Sequence, residues 1–246
     1  MSKVFGLIGK SLKHSFSKNY FEKKFENLNL PFHYLNFELK SIDDLTSLLR
    51  KYNELAGFNV TIPYKEAIIP FLDKLSTKAK SIGAVNCVKM LENGKLMGYN
   101  TDAFGFKLSF EKHLRPYHKK ALILGTGGAS KAVAFALEEL KIPYTFVSRR
   151  KETNQLTYDL INSTVLDNYQ IIINTTPLGT FPNINECPKL PYQFMTKSHY
   201  AFDLIYNPSE TKFLANSKAQ GATIANGENM LIFQAEKSWE IWNEES

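Results

Sequence analysis

The segment that most narrows the fold is Ala121-Leu122-Ile123-Leu124, followed at once by Gly125-Thr126-Gly127-Gly128-Ala129-Ser130. The apolar run reads as a strand. The glycines turn it into a helix over about Ser130–Leu140, in which Val133, Ala136, Leu137 and Leu140 recur with helical spacing. Tyr144-Thr145-Phe146-Val147 returns as a strand and completes a βαβ unit. Backbone N–H groups at such a helix start attract a pyrophosphate, so the loop reads as a dinucleotide site. Gly125 permits the tight turn, Gly127 lets the backbone approach phosphates with Gly128 beside it, and Ala129 or Ser130 sits where helix and strand pack closely. The third glycine of the usual fingerprint is absent, and the bland alternative is a set of turn glycines.

A second feature weighs against that alternative. About 20 residues beyond the glycines an NAD site places Asp or Glu for the ribose hydroxyls. Here stand Ser148-Arg149-Arg150. An acid repels a 2′-phosphate, whereas a guanidinium grips it with charge-assisted hydrogen bonds, so the pattern favours NADP over NAD. The competing readings are a solvated arginine pair and a ribose contact from nearby Glu152.

Ile171–Asn174, Ala201–Ile205 and Ala222–Ile224 read as further strands and Glu228 to about Trp242 as a final helix, giving five strands with crossovers and a Rossmann-like sheet. The first half alternates in the same way. Val4–Ile8, Phe32–Glu38 and Gly57–Thr61 read as strands, with helices over about 17–27 and 41–51 and a third opened by Pro63. Asn93-Gly94 between Ala84–Met90 and Lys95–Tyr99 signals a β-hairpin. A helix follows Asp102, with Phe104 and Leu108 four apart, and the polar, proline-containing stretch 112–120 marks a junction. The fold class is α/β: an N-terminal α/β domain plus a Rossmann-like NADP-binding domain, with a crevice between them.

Ser15, Ser17, Thr61, Lys65, Asn86 and Asp102 bunch at strand ends in the first half, where open α/β sheets bind ligands. Singly, each has a bland reading: Ser15 and Ser17 as helix caps, Asn86 as a turn former, Lys65 and Asp102 as a surface ion pair. Together they can face one crevice, and a small polyhydroxylated acid suits it.

Composition removes several classes. With 43% apolar residues and 22% charged, the chain can pack a core, and its longest apolar runs fall far below the ~20 residues of a membrane span. No secretory signal opens it, which points to the cytoplasm. Cys87 and Cys187 lack histidines at ligand spacing, so no metal site and no disulfide framework is expected. The formal charge of +6 favours anionic small molecules. The basic residues are scattered, with no run longer than Arg149-Arg150-Lys151 and no nucleic-acid-binding signature.

Asn59-Val60-Thr61-Ile62-Pro63-Tyr64-Lys65, Gly83-Ala84-Val85-Asn86 and Gly98-Tyr99-Asn100-Thr101-Asp102 resemble signatures of the shikimate dehydrogenase family. The resemblance continues in family order through Gly125–Ser130, Asn174-Thr175-Thr176-Pro177-Leu178-Gly179, Asp203-Leu204-Ile205-Tyr206-Asn207-Pro208 and Asn226-Gly227-Glu228-Asn229-Met230-Leu231 with Gln234. It implies NADPH-linked reduction of 3-dehydroshikimate to shikimate, towards chorismate and the aromatic amino acids. It also implies that Ser15, Ser17 and Thr61 hold the substrate carboxylate with Tyr206, that Asn86, Asp102 and Gln234 bind ring hydroxyls, and that Lys65 and Asp102 form the catalytic pair. Thr175, Leu204, Gly227 and Met230 would lie near the nicotinamide, with Ser148, Arg149 and Arg150 serving the adenosine end. Because Gln234 joins the substrate residues, the final helix is expected to pack back on the first domain. The expected domains are therefore 1–102 plus 233–246 for substrate and 103–232 for NADP. The sequence departs from the family after His14-Ser15-Phe16-Ser17, where proline and a His-Asn pair usually follow but Lys18, Phe21 and Glu22 stand here, and at Ser148, where Asn is common.

Two alternatives stay open at this point: a paralogue oxidising quinate with NAD, and a non-catalytic ligand sensor on the same fold, which would be expected to have lost Lys65, Asp102 or the glycine loop. Expected partners are a small-molecule substrate, with no nucleic acid and no membrane, in a monomer or homodimer.

Overall fold

The structure is a computed structural model and describes residues 3–13, 15–150 and 152–244. It divides into two units, Met1–Thr101 with Ala235–Ser246, and Asp102–Gln234.

The first unit carries β1 (Lys3–Gly9), α1 (Phe16–Asn27), β2 (Phe32–Glu38), α2 (Leu45–Lys51), β3 (Leu55–Val60), α3 (Tyr64–Ala67), β4 (Lys74–Leu75), α4 (Thr77–Ile82), β5 (Cys87–Met90) and β6 (Leu96–Tyr99). Its six strands form one mixed sheet in the order β2-β1-β3-β5-β6-β4. β1 is parallel to β2 and β3, while β5 is antiparallel to β3 and β6. Side chains alternate across β1, so Val4 and Ile8 join one apolar cluster and Phe5 and Leu7 the other. The expected hairpin forms, with Gly94 at positive φ and its N–H donating to Leu91 O (2.8 Å). Two expectations need correction. The helix placed over 41–51 begins as a 3₁₀ turn, Ile42–Asp44, capped by Ser41. The first arm of the hairpin, expected from Ala84, begins only at Cys87, and it is preceded by an unexpected helix, α4, which Ser76 caps at its start and Gly83 ends with φ 70°.

The second unit runs α5 (Asp102–Glu111), β7 (Ala121–Leu124), α6 (Gly128–Glu139), β8 (Tyr144–Ser148), β9 (Gln155–Thr157), α7 (Ser163–Asn168), β10 (Ile171–Asn174), β11 (Tyr200–Asp203), α8 (Lys212–Ala219), β12 (Thr223–Ala225) and the start of α9 (Glu228–Asn243). Its sheet is parallel throughout, in the order β12-β11-β10-β7-β8-β9. The sixth strand, β9, joins the five expected ones at an edge. Central strands β7 and β10 are apolar and buried on both faces, as a helix-covered parallel sheet requires. On α5 the buried apolar face is Ala103, Phe106 and Phe110, whereas Phe104 and Leu108 are exposed. Gly105 lets α5 approach α9, because a Cβ there would meet Met230 O and Gln234 N.

Helix α9 passes from one unit to the other. Its end supplies Ala235, Ile241 and Trp242 to the apolar cluster containing Phe5, Phe21 and Tyr34. Trp242 stacks on Phe5 (4.7 Å between centroids) and donates from Nε1 to Val88 O (3.0 Å), against the bare backbone of Gly57. Glu236 accepts from Lys24 Nζ (2.7 Å) and from the Tyr20 hydroxyl.

Candidate functional site

In the second unit the strand order reverses between β7 and β10, the switch point at which open parallel sheets bind ligands beyond their strand ends. Leu124 and Asn174 are registered partners there, so Gly125 and Thr175 leave the sheet side by side. Gly125 turns the chain with φ 105°, a region that favours glycine. A Cβ on it would lie 2.9 Å from Thr175 Oγ1, which donates to Leu124 O (2.6 Å). Gly127 caps α6, and the space a Cβ on it would fill holds no protein atom within 4 Å. The first N–H groups of a helix have no partner within it, so Gly128 and Ala129 present donors at this open start, with the dipole's positive end behind them. Ser130 turns inward instead and donates to Gly127 O (2.6 Å). The loop therefore fits a pyrophosphate.

Ser148 ends β8 and shapes the turn after it: its hydroxyl donates to Arg150 O, and Arg150 N–H donates back to it (3.3 Å). Arg149 and Arg150 are both exposed. Glu152 accepts from Gln155 Nε2 (3.0 Å). Lys151 and His14 lie outside the described residues.

Leu204 follows β11 and donates to Asn174 O (3.0 Å). Gly227 backs directly onto the Leu204 carbonyl, an approach no side chain would permit. Met230 is a core residue beside Phe106 and Phe202, and Gln234, also buried, donates to Leu231 O (3.0 Å). Tyr206 is half-buried, which pushes its hydroxyl pKa up. A polar cluster joins Asn174 and Asp203, which stand in the family motifs, to Thr211, which does not. Asp203 is fully buried and accepts from Asn174 Nδ2 (3.0 Å), Ile205 N (3.0 Å) and Thr211 Oγ1 (2.6 Å). Desolvation raises its pKa to about 6 against those three bonds.

In the first unit, Ser15 caps α1 by accepting from Lys18 N (3.4 Å), and Ser17, in the first turn, is buried. Thr61 follows β3, donates from its N–H to Ile8 O (2.9 Å) and accepts from Tyr64 N (2.9 Å), which sets the start of α3. Lys65 on α3 accepts Val85 N–H at its carbonyl (2.7 Å), tying the helix to the segment that carries Asn86. The Asn86 side chain is buried and locked onto Thr101: Oδ1 accepts Thr101 N–H (2.6 Å), and Nδ2 donates to Thr101 Oγ1 (2.9 Å). Asp102, the next residue, opens α5 and is buried. The residues departing from the family pattern have clear work. Phe21 stacks on Tyr34 (4.7 Å), and Glu22 accepts Tyr34 N–H (2.6 Å). Sequence reasoning missed Tyr34, Asn59, Thr101 and Ser238 as polar members of this unit. The signal for Ser238 was its place on the buried stripe of α9 with Gln234, Ala235, Ile241 and Trp242.

The parallel sheet and the glycine-led helix at its switch point define the class: a dinucleotide-binding α/β protein. Residues 7–88 match the family model described as shikimate dehydrogenase substrate binding domain. The NADP(+) shikimate dehydrogenase of Carboxydothermus hydrogenoformans is 41% identical over 261 residues, covering 98% of this chain and 91% of that protein. The solved shikimate dehydrogenase of Aquifex aeolicus is similar with a TM-score of 0.88 at 35% identity, covering 98% of this chain and 92% of that one. The Thermus thermophilus structure, titled as a complex with NADP(H) and shikimate, gives a TM-score of 0.86 at 30% identity, covering 98% and 93%. The chain belongs to the shikimate dehydrogenase family.

Proposed function

We propose that this chain is an oxidoreductase that catalyses the reversible, NADPH-dependent reduction of 3-dehydroshikimate to shikimate, a step towards chorismate and the aromatic amino acids. The observation that carries the reading is the 41% identity to an NADP(+) shikimate dehydrogenase across 98% of this chain. In this reading Met1–Thr101 with Ala235–Ser246 is the substrate domain, consistent with the family model matched at 7–88, and Asp102–Gln234 is the NADP domain.

Gly125, Gly127, Gly128 and Ala129 would hold the pyrophosphate, Ser148, Arg149 and Arg150 the adenosine 2′-phosphate, and Thr175, Leu204, Gly227 and Met230 the nicotinamide end. When bound, the cofactor supplies the hydride. The protein supplies the rest. Ser15, Ser17, Thr61 and Tyr206 hold the substrate carboxylate through hydroxyl groups. Asn86, Asp102 and Gln234 orient the ring hydroxyls. Lys65 stabilises negative charge growing on the ketone oxygen and donates the proton to it, and Asp102 orients and polarises that ammonium. Among the described residues no helix is long and apolar enough to cross a membrane. The reading places the enzyme in the cytoplasm as a monomer or homodimer, with Cys87 and Cys187 outside any disulfide.

Absorbance at the reduced-nicotinamide band, followed with shikimate or quinate and NADP or NAD, tests it. Shikimate with NADP should give the highest kcat/KM of the four mixtures. A quinate mixture leading would overturn the substrate, and equal use of NAD would overturn the role given to Arg149 and Arg150.

A further inference from the structure

We propose that Tyr34, Asn59, Ser238 and Thr101 form a continuous hydrogen-bond chain through the core of the first unit that holds Ser17 and Asn86 in fixed relation, so that Tyr34, Asn59 and Ser238 are positioning residues for substrate. The inference rests on the reading above, in which Ser17 and Asn86 touch substrate.

At both ends of the chain the donor direction follows from groups that admit one choice. Thr101 N–H can only donate, so the Asn86 atom 2.6 Å away is Oδ1, and its amide group faces Thr101 Oγ1 at 2.9 Å. With that donor accepted, the Thr101 hydroxyl donates to Asn86 Oδ1 (3.3 Å) and lies in hydrogen-bond contact with Ser238 Oγ (3.2 Å). Ser238 in turn accepts from Asn59 Nδ2 (2.9 Å), a group that also donates to the Asn86 carbonyl (3.1 Å). Asn59 Oδ1 accepts from the Tyr34 hydroxyl (2.9 Å), and Ser17 hydrogen-bonds to that same hydroxyl. The sequence of partners is Ser17, Tyr34, Asn59, Ser238, Thr101, Asn86. None is more than 9% exposed.

Three features separate this chain from ordinary core polarity. It joins two candidate substrate residues from α1 and from the segment between α4 and β5, which the backbone does not otherwise link. Its middle member comes from α9, the last helix of the protein. Tyr34 is held by the residues that replace the family's usual pair, with Phe21 stacked on its ring and Glu22 accepting its backbone N–H. Buried neutral networks of this kind act as units, because removing one member strands the next.

The test uses the full chain with Tyr34→Phe and Ser238→Ala, each of which deletes one hydroxyl while leaving volume almost unchanged. Each should raise KM for shikimate about fivefold, the scale of one buried neutral hydrogen bond, with kcat and KM for NADP changing by less than about twofold. In an Asn86→Ala background Ser238→Ala should add almost nothing, because the end it positions is gone. If Asn86→Ala raises KM but both hydroxyl deletions leave it at the wild-type value, the chain is overturned and the substrate reading stands. If the deletions lower the melting temperature and raise both KM values alike, their role is structural and the proposal fails. If Asn86→Ala itself leaves KM for shikimate unchanged, the assignment of Asn86 is what fails.

Discussion

The two units prepare their candidate sites by different means. In the second, the backbone does the work: a glycine at φ 105°, a helix start with open space above Gly127, and a glycine against the Leu204 carbonyl. In the first, side chains do it, with Asn86 held by the Thr101 amide and Tyr34, Asn59 and Ser238 bonded to one another behind it. A backbone site depends on where side chains are missing, and a side-chain site on which ones are present. The first kind is damaged by adding a methyl group and the second by deleting a hydroxyl or an ammonium.

The largest expected effect tests the side-chain half of that contrast. Lys65→Ala should lower kcat by about 10²–10⁴ with a smaller change in KM, as loss of a positioned proton donor does. A kcat near wild type would remove the chemistry from the first unit. Next in size is a pH effect that asks whether side-chain polarity in the second unit serves stability alone. Burial raises the Asp203 pKa from 3.8 to about 6, so the folded state binds its proton more tightly than the unfolded state. The stabilisation this gives is complete below about pH 3.8 and lost as pH rises through about 6, on the order of 2–3 kcal/mol. Urea titrations of wild type and Asp203→Asn across that window should differ in slope with the sign just given. A parallel pH dependence in both proteins would show that Asp203 is not the group. The smallest effect tests the backbone half: Gly125→Ala forces a side chain into positive φ beside Thr175, at a cost of about 1–3 kcal/mol. It should raise KM for NADP while leaving KM for shikimate near wild type, and steady-state kinetics with each substrate varied would show a failure of that selectivity.

This contrast also explains what the sequence revealed. Glycines announce themselves, so the strand, turn and helix from Ala121 onward were legible, as was β2, which runs over Phe32–Glu38 as expected. The edge strand β9 was not, because Gln155–Thr157 is three half-buried residues with too little length for a period. Helix α4 carried its cap in Ser76 and its stop in Gly83, but Thr77–Ile82 offers only the pair Ala79 and Ile82 as an apolar face, too short to draw attention. On α5, Phe104 and Leu108 had the right spacing on the wrong face, because Phe106 and Phe110 share that spacing and won the core. The catalytic candidates were visible through their motifs. Their supports were not: a serine inside a helix carries no mark of the partner it meets, and Asn59 and Ser238 lie far apart along the chain.

The passage of α9 from one unit to the other sets an order of assembly during synthesis. Asp102–Gln234 is continuous and complete once its last residue has left the ribosome, whereas the unit begun by the first hundred residues still lacks Ala235, Ser238, Ile241 and Trp242. The half made first is therefore finished last, and a chain cut after Gln234 would have the second unit whole and the first with its aromatic core laid open.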